Sequence, residues 1–124
     1  MAKVQKKGLV RIFNAYKYSM KGFKAGIENE AAIRQELVLA AIMTVAAFFI
    51  FNSAVELVLL IVTPWIVVIT ELLNSAVEAV VDRIGPEFHE LSGRAKDLGS
   101  AAVFVALGVT LFTWAAIIVE HVIG

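Results

Sequence analysis

The sequence predicts an all-α membrane protein: three transmembrane helices preceded by an N-terminal amphipathic surface helix. Composition is the first observation behind that prediction. Of 124 residues, 60% are hydrophobic and 18% charged, against roughly 45–50% and about 25% in ordinary soluble domains. The mean hydropathy is +0.82. The second observation is the order of the charges. A net charge of zero conceals seven basic residues (Lys3, Lys6, Lys7, Arg11, Lys17, Lys21 and Lys24) ahead of the first acidic one, Glu28. The first 24 residues therefore carry +7, and the remainder, with four basic residues against eleven acidic, carries −7. The third observation is a set of three apolar runs divided by short polar segments. The absence of cysteine excludes a disulfide-stapled secreted fold, a Cys-based zinc site and CxxC redox chemistry.

Taken in order, the basic arm comes first. Leu9, Ile12, Phe13, Tyr16, Met20, Phe23 and Ile27 recur at helical spacing on one face, and most lysines fall off it. That pattern describes a helix lying in the membrane interface over residues 1–28, with its apolar side in the acyl boundary. Gly22 and Gly26 are expected to break or bend it before the first span, and as a G-x-x-x-G pair they also signal close helix packing. Residues 29–124 form the three-span unit.

The first span centres on the run Leu37 to Phe51, which approaches the ~20 residues of a crossing by borrowing at its ends. The second begins at Leu57 and continues as a helix of about 25 residues through Glu71 to Val81, with Pro64 inside it. Packing against neighbours tolerates the kink that a missing N–H produces. The third, Ala101 to Val119, has no charge at all. Lys and Arg are abundant in the N-terminal arm, present between residues 82 and 97, and absent from 52–56 and 120–124. The positive-inside rule therefore predicts a cytoplasmic N-terminus and a multi-pass topology. A cleaved signal peptide fits poorly, because the basic region lies far from the first apolar run.

Glu71, Asn74, Glu78 and Asp82 share one face of the second span, within an arc of about 80°. An acidic side chain at bilayer depth costs ~2.5–3.5 kcal/mol on the gentler scales, so this face is expected to avoid lipid. Three helices can hardly enclose it, which points to an oligomer. Interhelical hydrogen bonding alone would account for Asn74. Two glutamates, an amide and an aspartate in register favour a cation- or proton-handling face. Hard oxygen ligands favour Mg²⁺. A second acidic patch, Glu28, Asn29, Glu30 and Glu36, is expected at a similar depth, so that Glu30 and Glu78 can share a metal. The segment Asp82–Asp97 reads as a solvated loop that turns at Gly85-Pro86 and presents Glu87, His89, Glu90, Arg94, Lys96 and Asp97, groups suited to a polyphosphate. His121, at the opposite membrane face, reads as structural. No GxxxxGK[ST] or GxGxxG motif is present, so a nucleotide site here differs from the common soluble ones.

The run from Glu71 to Val103, with its E-x-x-N-x-x-x-E-x-x-x-D and A-K-D-x-G-S patterns, together with Asn29-Glu-Ala-Ala-Ile-Arg-Gln-Glu36, closely resembles the prokaryotic integral-membrane diacylglycerol kinase family. The resemblance covers essentially the whole chain. It implies a homotrimeric helical bundle in the bacterial inner membrane, with composite sites between subunits where ATP·Mg²⁺ phosphorylates diacylglycerol to phosphatidic acid. By matching position it makes Glu71 the catalytic base and Glu30 and Glu78 the ligands of the nucleotide's Mg²⁺. Arg11, Tyr18, Glu87, His89, Lys96 and Asp97 would join those two carboxylates in contacting ATP. The lipid would meet Arg11, Met20, Ala32, Ile33, Arg34, Gln35, Glu36, Glu71, Ser100 and Trp114. Met20 stands where family members carry tryptophan. The partners implied are the chain itself, ATP and a membrane lipid, with no nucleic acid. Two alternatives share parts of this pattern: an undecaprenol kinase of the same superfamily, and a small oligomeric ion or proton pathway built on Glu71 and Glu78.

Overall fold

A computed structural model describes residues 7–124. The start of the expected surface helix, with Lys3 and Lys6, lies outside the described residues. Four helices follow one another: α1 (Leu9–Asn29), α2 (Ala31–Ile50), α3 (Ala54–Ile84) and α4 (Glu90–Ile123). The last three are long and apolar enough to cross a membrane. Helix α3 packs against both α2 and α4, whereas α1 touches mainly α2.

Two sequence expectations need correction. Helix α1 runs unbroken through Gly22 and Gly26, and the chain bends instead at Glu30, whose extended backbone (φ −125°, ψ 111°) both ends α1 and begins α2. Gly26 serves packing. It is buried, and a Cβ there would stand 2.9 Å from Ile33 Cδ1 and 3.7 Å from Leu72 Cδ2. The second correction concerns Asp82–Asp97. Only its middle is a loop, because α4 already begins at Glu90. His89 caps it, accepting the Leu91 N–H at Nδ1 (3.1 Å), as an N-cap side chain does for an orphan donor. Arg94, Lys96 and Asp97 therefore stand on the first turns of a helix.

The core is concentrated toward the α2–α3 turn. Ala47, Leu60 and Ile117 are buried there, with Ile50, Leu57, Ile61 and Trp114 packed around them. Pro64 continues α3 without an N–H, so the Leu60 carbonyl, four residues earlier, loses its helical donor. Trp114 supplies a replacement: its Nε1–H donates to Leu60 O at 3.1 Å. One turn along α4, the single Thr110 hydroxyl proton is shared between Ala106 O of its own helix at 2.9 Å and Thr63 O of α3 at 3.0 Å. On the α2 side, Trp65 Nε1–H donates to Thr44 Oγ1 at 2.8 Å. In a medium without water each such group, if unpaired, costs several kcal/mol, so these bonds hold the three spans in register.

Candidate active site

The acidic stripe forms on α3 as its spacing requires. Glu71, Asn74 and Glu78 are half-buried and Asp82 is exposed. The Glu36, Glu78 and Glu30 carboxylates all lie close enough to act electrostatically on Glu71. Carboxylates from α2, α3 and the α1–α2 bend thus lie within electrostatic reach of Glu71. Glu30 owes its place to the bend: its N–H still closes α1 on Gly26 O at 2.8 Å, and the side chain then leaves both helices.

Glu30 also lines a cleft of about 610 Å³ between α1, the start of α2 and α3. Its walls are Phe23, Ile33 and Leu72, with the small residues Gly22, Gly26, Ser75, Ala76 and Ala79. On α3 the wall residues sit roughly 90° round the helix from the stripe. Sequence reading missed this cleft, although the small residues Ser75, Ala76 and Ala79 beside the acidic face are its trace.

Asn74 does not make, through its side-chain oxygen, the interhelical hydrogen bond that would account for it. Its Oδ1 is buried without a hydrogen-bond partner and lies against Gly99 of α4, where a Cβ would overlap it. A buried acceptor left unmatched in this way is rare and costly.

Among the described residues no group of three or more His, Cys, Asp or Glu is arranged as a metal cage. Glu30 and Glu78 suit a Mg²⁺ ion that brings phosphate and water oxygens of its own, since they offer hard oxygen donors and no soft ligand. Lys96 stands opposite: its Nζ pairs with Asp82 Oδ1 at 2.7 Å and also feels the Glu78 charge.

The other expected site residues fall into two groups. Ala32, Ile33, Arg34, Gln35 and Glu36 follow the bend. Ile33 is buried, and Arg34 donates to Ile27 O at 2.7 Å, tying α2 to the end of α1. Glu87, His89 and Asp97 are exposed at the α3–α4 turn. Glu87 folds back so closely that a Cβ on Gly85 would meet its Oε2 at 2.6 Å. Arg11, Tyr18 and Met20 are exposed on α1. Arg11 lies 19 residues before Glu30, about 28 Å along a helix axis, so one chain does not bring it to the carboxylates. Ser100 lines a second groove on α4, of about 420 Å³. Trp114 is in the core, remote from Glu71, with its indole N–H already bonded to Leu60.

The chain is similar to known proteins along most of its length. Residues 17–118 match the family described as prokaryotic diacylglycerol kinase. The chain is 52% identical to the diacylglycerol kinase of Escherichia coli (strain K12) over 114 residues, 92% of this chain and 93% of that protein. It is 50% identical to that of Haemophilus influenzae over 111 residues, 90% and 94% of the two chains. Identity to that of Pseudomonas aeruginosa is also 50%, over 90% of each chain. A membrane protein with three spanning helices, an acidic stripe on one of them and this degree of likeness along its length belongs to the prokaryotic diacylglycerol kinase family.

Proposed function

We propose that this chain transfers the γ-phosphoryl group of ATP to the free hydroxyl of diacylglycerol, giving phosphatidic acid at the cytoplasmic face of the bacterial inner membrane. The observation that carries the reading is that Glu71 lies within electrostatic reach of Glu30 and Glu78, with Glu30 lining an apolar cleft, in a chain half identical to proteins named diacylglycerol kinase. Diacylglycerol keeps its hydroxyl at the interface and its tails in lipid. A half-buried carboxylate beside a largely apolar cleft suits both parts of such a molecule.

Glu71 is the base. It lies deeper along α3 than Glu78, and it orients the lipid hydroxyl and accepts its proton as the oxygen attacks the γ-phosphorus and the bond to the β–γ bridging oxygen breaks, releasing ADP. Phosphoryl transfer asks mainly for positioning and charge compensation. Glu30 and Glu78 would hold Mg²⁺, which would offset charge on the phosphates. Lys96, released from Asp82, adds a cation on the α4 side, and Glu87, His89 and Asp97 border the nucleotide.

The working unit is a homotrimer with sites shared between subunits. Three features support it: the acidic stripe that three helices leave half-exposed, the distance of Arg11 from the carboxylates of its own chain, and long exposed apolar faces on α2, α3 and α4. Helix α1 lies on the membrane surface, since Leu9, Ile12, Phe13 and Tyr16 are all more than 60% exposed amid lysines. The N-terminus is cytoplasmic.

Purified protein assayed with ATP·Mg²⁺ against diacylglycerol and undecaprenol separately tests the substrate. Turnover of diacylglycerol at least tenfold faster is expected, and preference for undecaprenol overturns it. No ATP consumption with either alcohol would return the stripe to an ion pathway. Native mass measurement in mild detergent is expected to give three chains, and an active monomer would refute the shared site.

A further inference from the structure

Helix α3 carries the acidic stripe on one face and a wall of the cleft on the next, and Ser75 stands where the two meet. It lies about 40° round the helix from Glu71, whereas the other α3 wall residues, Leu72, Ala76 and Ala79, lie about 80–140° round. Ser75 is half-buried and lines the cleft. Along the axis it is one turn beyond Glu71, about 6 Å.

The cleft wall is mostly apolar, and its other polar side chains are engaged or have no proton to give. Ser19 Oγ donates to Ala15 O at 2.9 Å, and Asn29 Nδ2 donates to Ala25 O at 2.8 Å. Glu30, when ionised, only accepts. A hydroxyl inside a helix can also return its proton to the carbonyl four residues back. Thr44 and Thr63 do so, at 2.7 and 2.9 Å. Ser75 makes no such bond to Glu71 O, and its hydroxyl has no other partner among the described residues. Nor is it sealed off. Among those residues Asn74 Oδ1 is the one buried side-chain polar atom without a partner, so the Ser75 hydroxyl is accessible on a residue that lines the cleft.

An accessible donor in an apolar wall, one turn from the proposed base, fits an acceptor-only group a few bonds from the reacting oxygen. In a diacylglycerol that group is the carbonyl of the ester on the glycerol carbon next to the free hydroxyl. A polyprenol has no second oxygen to offer. We propose that Ser75 is a specificity-determining residue whose hydroxyl donates to this ester carbonyl, so that the cleft selects an acylated glycerol over an alcohol without a second acceptor. The inference rests on the kinase reading and names the feature of the substrate that is recognised. The carbonyl takes no part in phosphoryl transfer, so the bond is made equally before and during reaction. Such uniform binding lowers KM and leaves kcat alone.

The test uses the full chain in mixed micelles, with saturating ATP·Mg²⁺ and two acceptors of equal chain length: a 1,2-diacylglycerol and the matching 1,2-dialkylglycerol. The ether lipid keeps the free hydroxyl and the tails and lacks only the carbonyls. A neutral hydrogen bond corresponds to about two- to tenfold in affinity, and the wild type is expected to show a KM lower by that factor for the diacyl acceptor. Ser75→Ala should bring the two KM values together by raising the diacyl one, with the change falling on KM rather than kcat. Equal KM values in the wild type, a result that no folding defect of a variant can mimic, would overturn the inference and leave the kinase reading standing. So would an undiminished ester preference in Ser75→Ala, or an equal loss for both acceptors. A wild type that phosphorylates neither lipid would overturn the kinase reading and the inference together.

Discussion

The two ends of α3 handle polar groups in opposite ways. Near the α2–α3 turn, the carbonyl that Pro64 orphans is met by Trp114, Thr63 O by Thr110 and Trp65 by Thr44. All of these partners come from the same chain. In the half of α3 that leads toward the α3–α4 turn, Glu71 has three carboxylates within electrostatic reach, and Asn74 Oδ1 is buried with no partner. One end is closed within the chain and carries the fold. The other leaves a buried acceptor unmatched within the chain.

This contrast breaks most sharply at Glu71. Glu71→Gln keeps the volume of the side chain but cannot take a proton. Kinase turnover should fall by about 10²- to 10⁴-fold, with ATP·Mg²⁺ affinity changed by only a few-fold and Tm unchanged or raised. Parallel loss of nucleotide binding, read by calorimetry, would move Glu71 to the metal.

Next come Glu30→Gln and Glu78→Gln. Each should lower activity by about 10- to 100-fold and raise the Mg²⁺ concentration needed for half-maximal rate, while the oligomer persists. Wild-type Mg²⁺ dependence in both would remove them from the metal site.

At the closed end the expected ordering reverses. Trp114→Phe leaves the Leu60 carbonyl buried without a donor and should cost about 1–3 kcal/mol of stability, measured by unfolding in mixed micelles. Turnover per folded molecule should change little. A large loss of turnover with intact stability would instead make Trp114 a lipid contact. The smallest effect belongs to Glu90→Ala. Its pairing with Arg94, at 3.8 Å, joins side chains 84% and 62% exposed. Such an exposed i,i+4 pair contributes only a few tenths of a kcal/mol, which differential scanning should barely resolve.

The spans and the acidic stripe were legible because both rest on local periodicity. A run without charge and a 3.6-residue rhythm of Glu71, Asn74, Glu78 and Asp82 need no knowledge of neighbours. The bend was misplaced because glycine has two uses. At Gly26 the missing side chain admits Ile33, a contact seven residues away, and the helix goes on. The start of α4 was hidden by its charge: Glu90, Arg94, Lys96 and Asp97 look solvated whether or not they are helical. The cleft and the His121–Glu56 hydrogen bond at 2.7 Å were beyond reach for a different reason. His121 and Glu56 are 65 residues apart, and only the packing of α4 along α3 makes them neighbours.

The pairing of Trp114 with Leu60 also sets an order on synthesis. The two residues are 54 positions apart, so α3 leaves the ribosome well before its missing donor exists. In that interval a newly inserted α2–α3 hairpin carries an unmatched carbonyl into the bilayer, and it is completed only when α4 arrives beside it. The last helix therefore acts as an intramolecular assembly factor for the one before it. A nascent chain cut short before Trp114 should be recognised as unfinished by the quality-control proteases of the membrane.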